Sequence, residues 1–161
     1  MKRISSFLVA LAALAIAAPV FATVQYTTTH RNNAMSDLVT AIGSTGYLFI
    51  VTGSQPASVA TADSGTELAG LPLSATAGTV SGGVLTFGAI TSEAAVASGT
   101  AGHFLICTSS AFATCAAASS STRIIQGSVG TSGTDLTFPT VAFSSGETIS
   151  VSSFTITANG A

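Results

Sequence analysis

Few side chains in this sequence are of the types that carry out catalysis. The 161 residues include two histidines, His30 and His103, and six carboxylates. A serine triad needs a histidine beside its nucleophile, and a nucleophile elbow needs Gly-x-Ser-x-Gly between a strand and a helix. The nearest segment, Gly130-Thr-Ser-Gly133, has neither the pattern nor a predicted helix after it. The sequence therefore predicts a protein that is not an enzyme and takes no cofactor.

Asp63 and Glu67 are the one pair of carboxylates whose spacing suggests general acid–base chemistry. Both fall in a segment with the composition of a loop, so we expect a solvated face instead of a catalytic pair. Asp135 follows a tight turn, where an aspartate commonly accepts hydrogen bonds from local backbone N–H groups. His103 lies in a strand-like run, and we expect a hydrogen-bonded wall residue of the fold, not a metal ligand.

Cys107 and Cys115, the only cysteines, are eight residues apart between two strand-like runs. In an oxidising compartment this spacing permits a disulfide, which we expect to stabilise the fold by about 2–3 kcal/mol. Two small buried thiols are the alternative. Because no pair of histidines lies nearby, the cysteines predict no zinc site.

Charge is scarce in this sequence. Charged residues make up 6% of it, against about 25% in ordinary soluble domains. Hydrophobic residues make up 47%, which favours one packed domain over a disordered chain. Beyond residue 22 the only cations are Arg31 and Arg123, against six carboxylates. Nucleic acids and anionic membrane surfaces attract clustered lysines and arginines, so neither partner is expected, and no small-molecule substrate is evident.

Residues 1–22 have the three parts of a secretory signal. Two cations come first, an apolar run over residues 7–18 follows, and small residues precede a predicted cleavage between Ala22 and Thr23. The apolar run is shorter than the roughly 20 residues that span a bilayer. We predict export with cleavage. An uncleaved membrane anchor and a misassigned start codon are the alternatives.

The first predicted element of the folded domain, residues 32–161, is a helix from Asn33 to Ile42. Its apolar stripe consists of Met35, Leu38, Val39 and Ile42. Asn32 or Asn33 suits the N-cap, and Gly43 suits the left-handed residue that ends a helix. The polar residues 23–31 predict an extended arm before it.

The remainder predicts short strands separated by Gly/Ser turns. Tyr47–Val51 is apolar at every position, so we expect a central strand buried on both faces. Ala57–Pro72 predicts a loop anchored by leucines. Further strands are predicted at Val84–Ile90, Ala101–Thr108, Thr122–Val129, Asp135–Phe138 and Thr148–Thr157. About seven such strands predict an all-β fold, an antiparallel β-sandwich of jelly-roll or immunoglobulin-like type with one short N-terminal helix.

The last predicted strand has an irregular pattern. Ile149 and Val151 share one face, whereas Phe154 and Ile156 share the other. Either both faces are buried or a β-bulge lies near residues 152–153, and we favour the bulge.

Several segments, taken in order, resemble a family of small tailed-phage proteins. They are YLFIVTGSQPASVATADSGTELAGLPL, GGVLTFGAI, VASGTAGHFLI, TRIIQGSVGTSGTDLTF and SGETISVSSFTITANG. The resemblance covers about residues 32–159 and contains no catalytic motif. Members are encoded among virion structural genes, so the resemblance implies a capsid- or tail-associated role, in contact with other virion proteins or with copies of itself.

The sequence departs from that family in three places. An export-like segment precedes the domain, and the loop with the two cysteines is longer than the family's hairpin. Gly102-His103-Phe104-Leu105 stands where the family more often has an aromatic residue followed by arginine. Because tailed-phage virions assemble in the cytoplasm, two locations stay open, the virion and the exported space reached after cleavage.

The leading expectation is a structural protein that decorates a capsid or tail as a homo-oligomer. One alternative is an exported bacterial surface-binding module, which predicts a line of exposed aromatic residues on one sheet face. Another is an exported subunit that forms fibres, which predicts an incomplete sandwich with one exposed apolar edge.

Overall fold

The computed structural model describes residues 24–117 and 122–159. The predicted signal and its cleavage point at Ala22 and Thr23 lie outside the described residues. Among these residues there are two α-helices, α1 (Thr28–Ile42) and α2 (Phe112–Ala116), and one short 3-10 helix, Gly43–Thr45, directly after α1. The eleven strands are β1 (Tyr47–Thr52), β2 (Glu67–Pro72), β3 (Gly78–Ser81), β4 (Val84–Phe87), β5 (Glu93–Ala94), β6 (Gly99–Cys107), β7 (Arg123–Gly130), β8 (Leu136–Thr137), β9 (Ala142–Phe143), β10 (Thr148–Ile149) and β11 (Thr155–Thr157). The fold is predominantly β, as predicted.

Helix α1 begins five residues before its predicted start at Asn33. The Thr27 side chain caps it by accepting a hydrogen bond from the His30 N–H, so residues 28–31 of the predicted extended arm are helical. Asn32 is not the cap, because its side-chain oxygen accepts from the Gly83 N–H at 2.7 Å. The helix ends at Ile42 with Gly43 at φ 67°, as predicted. Its predicted apolar stripe faces the core.

Most strand pairs are antiparallel. The largest sheet has the order β2-β1-β6-β7-β8, with β9 paired to the start of β6. A second sheet has the order β11-β4-β3, and β10 pairs with β5. The pairing of β7 with β8 is parallel, against the all-antiparallel prediction. The short loop between them returns the chain to the same edge, where the Phe138 N–H donates to the Gly130 carbonyl at 3.0 Å.

Strand β1 is buried on both faces, which confirms the prediction for Tyr47–Val51. Leu48 and Ile50 enter the main core, which they share with α1 and all three sheets. Phe49 and Val51 face the other way, into a smaller apolar cluster. That cluster is completed by Leu105, Cys107 and Cys115. Both faces of the largest sheet are therefore covered by packed side chains.

Strand β2 lies inside the segment predicted as a loop, Ala57–Pro72. The leucines predicted as anchors are indeed buried. Gly70 and Pro72 interrupt the apolar alternation that would have marked a strand. Gly70 has a packing role, because a Cβ there would lie 2.7 Å from the Phe49 ring. Strand β4 in turn ends at Phe87, before the predicted limit at Ile90.

The predicted strand Thr148–Thr157 is two strands, so the favoured bulge is wrong. Ile149 in β10 pairs with Glu93 of β5, whereas Ile156 in β11 pairs with Leu85 of β4. The change of apolar face between the two halves reflects a change of sheet.

Candidate functional site

Four polar side chains gather on the outer face of the largest sheet, beside the smaller apolar cluster. We call Asp63, His103, Arg123 and Gln126 the polar cluster. Strand register aligns three of them, since His103 lies opposite Val51 on β1, while Gln126 and Arg123 on β7 lie opposite Leu105 and Cys107. The fourth, Asp63, comes from the loop over residues 53–66 that connects β1 to β2 and covers this face.

His103 and Asp63 form a buried pair. The His103 Nε2 lies 2.7 Å from Asp63 Oδ2, and the exposed fractions of the two side chains are 0% and 2%. The other ring nitrogen, Nδ1, lies 3.1 Å from the Gly53 carbonyl oxygen. Both ring nitrogens are thus engaged by the covering loop.

Arg123 is buried with an exposed fraction of 1%. Its guanidinium donates to the carbonyls of Cys115, Ala116 and Thr61 at 2.8–3.2 Å. A longer bond of 3.4 Å reaches the side-chain oxygen of Gln126. These acceptors belong to α2 and its C-terminal end, to the covering loop and to β7, so one side chain joins three parts of the fold.

The covering loop is tied down along its length. Gln126 Nε2 donates to the Pro56 carbonyl at 2.7 Å, and the Asp63 N–H donates to the Ala116 carbonyl at 2.9 Å. At the loop's far end, the Thr52 N–H donates to the Thr66 carbonyl at 3.0 Å. The polar cluster therefore holds a long connection against the sheet.

Cys107 and Cys115 lie at disulfide-bonding distance with their Cα atoms 5.9 Å apart, in the usual range for a disulfide. Both are fully buried in the smaller apolar cluster. The pairing joins β6 to α2, which also packs Phe112 against Phe49 with ring centroids 5.5 Å apart. The Cys115 carbonyl is the same one that receives the Arg123 guanidinium.

Three ionisable groups of the described residues have shifted pKa values. Burial lowers the pKa of Arg123, while the nearby Asp63 carboxylate acts in the opposite direction. Burial raises the pKa of Glu67 on β2. The pKa of Asp135 is lowered because the Ser128 N–H and hydroxyl both donate to its carboxylate at 2.8 Å.

These contacts settle the expectations for the candidate acids and for His103. The predicted solvated face of Asp63 is wrong, because that carboxylate is covered and bonded to His103. Glu67 is half-buried and lies apart on β2. Asp135 binds a neighbouring backbone N–H, as predicted, and His103 is a hydrogen-bonded wall residue.

Sequence reasoning missed Arg123 and Gln126. The available signal for Arg123 was its isolation, since a lone cation between apolar strand residues in a charge-poor sequence has few ways to remain solvated. Nothing in the sequence identifies the acceptor at Pro56, because the residues that meet there are 70 positions apart.

The polar cluster is arranged to hold structure. To act as a general base, His103 would need a ring nitrogen free to accept a proton from a nucleophile or a substrate. Instead, both of its ring nitrogens face oxygen atoms of the covering loop. Within residues 24–117 and 122–159, no group of three or more His, Cys, Asp or Glu side chains converges as a metal site. No helix among the described residues is long and apolar enough to cross a membrane.

Comparisons of the chain with protein-family models, with curated proteins and with solved structures found no match.

Proposed function

We propose that this chain is a non-enzymatic structural protein of the phage-virion type, which decorates a capsid or tail through contacts with other virion proteins or with its own copies. The observation that carries the proposal is what the side chains of the polar cluster bind. Its side chains bond to the protein's own loop and helix, which fixes the outer face of the largest sheet as a rigid surface. Rigid surfaces bind partners with a smaller loss of conformational entropy.

The composition of the surface supports the same role. The exposed loop positions are mostly serine, threonine, alanine and glycine, and charged residues are only 6% of the sequence. Charge depletion is typical of the centres of protein–protein interfaces. The resemblance of residues 32–159 to small tailed-phage proteins points in the same direction. We further propose that the two larger sheets, which share the main core, are the layers of a β-sandwich.

Between the two exported alternatives, the positions of the aromatic residues favour the fibre subunit. A surface-binding module predicts a row of exposed aromatic rings, but Phe49, Phe87, Phe104, Phe138, Phe143 and Phe154 are buried. Among the described residues, Tyr26 is the only large aromatic side chain with high exposure, at 56%. A fibre subunit would instead be consistent with the cysteine pair and with the free strand edges described below.

The test is quantitative peptide mass spectrometry on density-gradient-purified virions and on the culture fluid of the same lysate. A virion role predicts that the chain follows the major capsid protein through the gradient in many copies per particle. Recovery from virion-free culture fluid alone would replace it with the exported alternative. Recovery only in the soluble fraction of cells would overturn both.

A further inference from the structure

Two strand edges face each other across a cleft of about 240 Å³. One wall is the outer edge of β7, with Ile125 and Gln126. The other is the outer edge of β11, with Thr155, Ile156 and Thr157. Ile125 and Ile156 are half-buried, so apolar surface remains open at this place. The cleft thus lies between the edge of the largest sheet and the edge of the three-stranded sheet.

Before Val129, where its pairing with β8 begins, β7 presents an unpaired backbone edge. Along an antiparallel strand, successive residues direct their N–H and C=O groups to opposite sides. The Ser128 N–H points away from β6, because it donates to Asp135 Oδ2 at 2.8 Å. Gln126, two residues earlier, therefore points its backbone the same way, toward the cleft. In the part of the chain that the structure describes, no backbone group pairs with it.

The edge of β11 is equally open. The Phe154 carbonyl accepts from the Phe87 N–H at 3.0 Å, and the Ala158 N–H donates to the Gly83 carbonyl at 2.8 Å, so these residues point toward β4 and the hairpin turn before it. Thr155 and Thr157 alternate with them and direct their backbone groups toward the cleft. Among residues 24–117 and 122–159, neither has a backbone partner there. Two open edges around one cleft form an acceptor for an added strand.

The same chain carries a segment with the properties of a donor. Residues 24–27 precede α1 and belong to no helix or strand. Val24 and Tyr26 are 70% and 56% exposed and alternate with Gln25 and Thr27, which is the period of a strand. Valine, tyrosine and threonine are residues that favour strands. Exposed alternating residues of this kind are stabilised when they pair with an open edge.

We infer that residues 24–27 of one copy add as a β-strand to the cleft between β7 and β11 of a second copy. The added strand pairs with the backbone of Gln126, Thr155 and Thr157 and covers the two isoleucines. The charge of the segment is compatible with this occupant. Residues 24–27 have no charged side chain, so they bring no like charge to Asp135, the charged residue that lines the cleft. The inference deepens the proposed structural role by naming the contact between copies.

Light scattering coupled to size-exclusion chromatography tests this on the naturally processed full chain. Wild type is expected to give concentration-dependent masses at multiples of the monomer, because a donor–acceptor contact is heterologous and propagates. A Val24→Asp/Tyr26→Asp variant loses the donor and is expected to be monomeric. Val96→Asp is the matched control, since Val96 is 65% exposed at another place, and it is expected to assemble like wild type.

A complementary variant removes the acceptor. Thr155→Pro deletes an N–H that points into the cleft and leaves the bonds of Phe154 and Ala158 intact. It is expected to be monomeric alone and to form a 1:1 heterodimer when mixed with the donor variant. If this variant does not fold, an excess of a free peptide of residues 23–29 is used on wild type, and it is expected to dissociate the assemblies, unlike a scrambled peptide.

Monomeric wild type at every concentration would overturn the inference, as would assembly that survives the donor variant. Recovery of the protein in virions without donor-dependent association would overturn it while leaving the proposed role in place.

Discussion

Arg123 connects more of this molecule than any other described side chain. Its guanidinium reaches carbonyl oxygens at Thr61, Cys115 and Ala116. These belong to the covering loop and to α2, which are also joined by the bond from the Asp63 N–H to the Ala116 carbonyl. Burial of the charge lowers its pKa, and the Asp63 carboxylate nearby compensates in part. The geometry matches a planar donor with several N–H groups, which lysine cannot reproduce.

Arg123→Leu is expected to lower the free energy of unfolding by about 3–5 kcal/mol, because it leaves buried carbonyls without donors. Arg123→Lys keeps the charge and one of the bonds, so its loss should be smaller. Urea denaturation at neutral pH measures both. A loss below about 1 kcal/mol for the leucine variant would contradict the structural role of this residue.

The contribution of Asp135 to the stability of the folded protein depends on pH. Its folded pKa lies below the ordinary value of 3.8, because Ser128 donates two hydrogen bonds to the charged carboxylate. The stabilisation of the fold by the charged Asp135 carboxylate is therefore fully present above the ordinary pKa. It is lost as the pH falls through the lower pKa of the folded state. Asp135→Asn should lower the melting temperature at pH 7, with the difference closing in strong acid. Asp37→Asn, at an exposed position of α1, is the control. Equal melting temperatures of Asp135→Asn and wild type at pH 7 would contradict the account.

At the scale of elements, periodicity predicted the parts of the chain with strong apolar patterns. The core-facing stripe of α1 follows from apolar residues at helical spacing, and the burial of both faces of β1 follows from a run that is apolar at every position. β2 was missed because Gly70 and Pro72 break its alternation. The start of α1 was missed because Thr27 is one of three consecutive threonines with no apolar residue to mark the first turn.

Removal of the cysteine pair tests whether α2 holds the covering loop in place. We expect a Cys107→Ala/Cys115→Ala variant to lose about 2–3 kcal/mol of stability relative to the oxidised protein. Because α2 supplies acceptors for Arg123, amide exchange should also accelerate in residues 53–66, which contain neither cysteine. Unchanged exchange in that loop would show that it is held independently of the pair. Exchange in the hairpin of β3 and β4 is the internal control.

At the scale of the whole molecule, the sequence predicted a charge-poor β domain, and the structure is predominantly β. The polar cluster and the facing strand edges could not be predicted, because each depends on residues far apart in sequence that meet only through sheet order. His103 and Asp63 are separated by 40 positions, and the β7 and β11 edges by about 30. The break in apolar face between Val151 and Phe154, which predicted a bulge, instead marks the change of sheet from β10 to β11.

We propose that this chain acts through assembly of a rigid folded surface. The most direct test is the intact mass and copy number of the protein recovered from native assemblies. We expect many copies per assembly, each lighter than the reduced chain by the hydrogens lost in joining Cys107 to Cys115. A first residue at Thr23 would assign the assembly to the exported space, and a retained Met1 to the virion. A soluble protein with free thiols, present in no assembly, would contradict the claim.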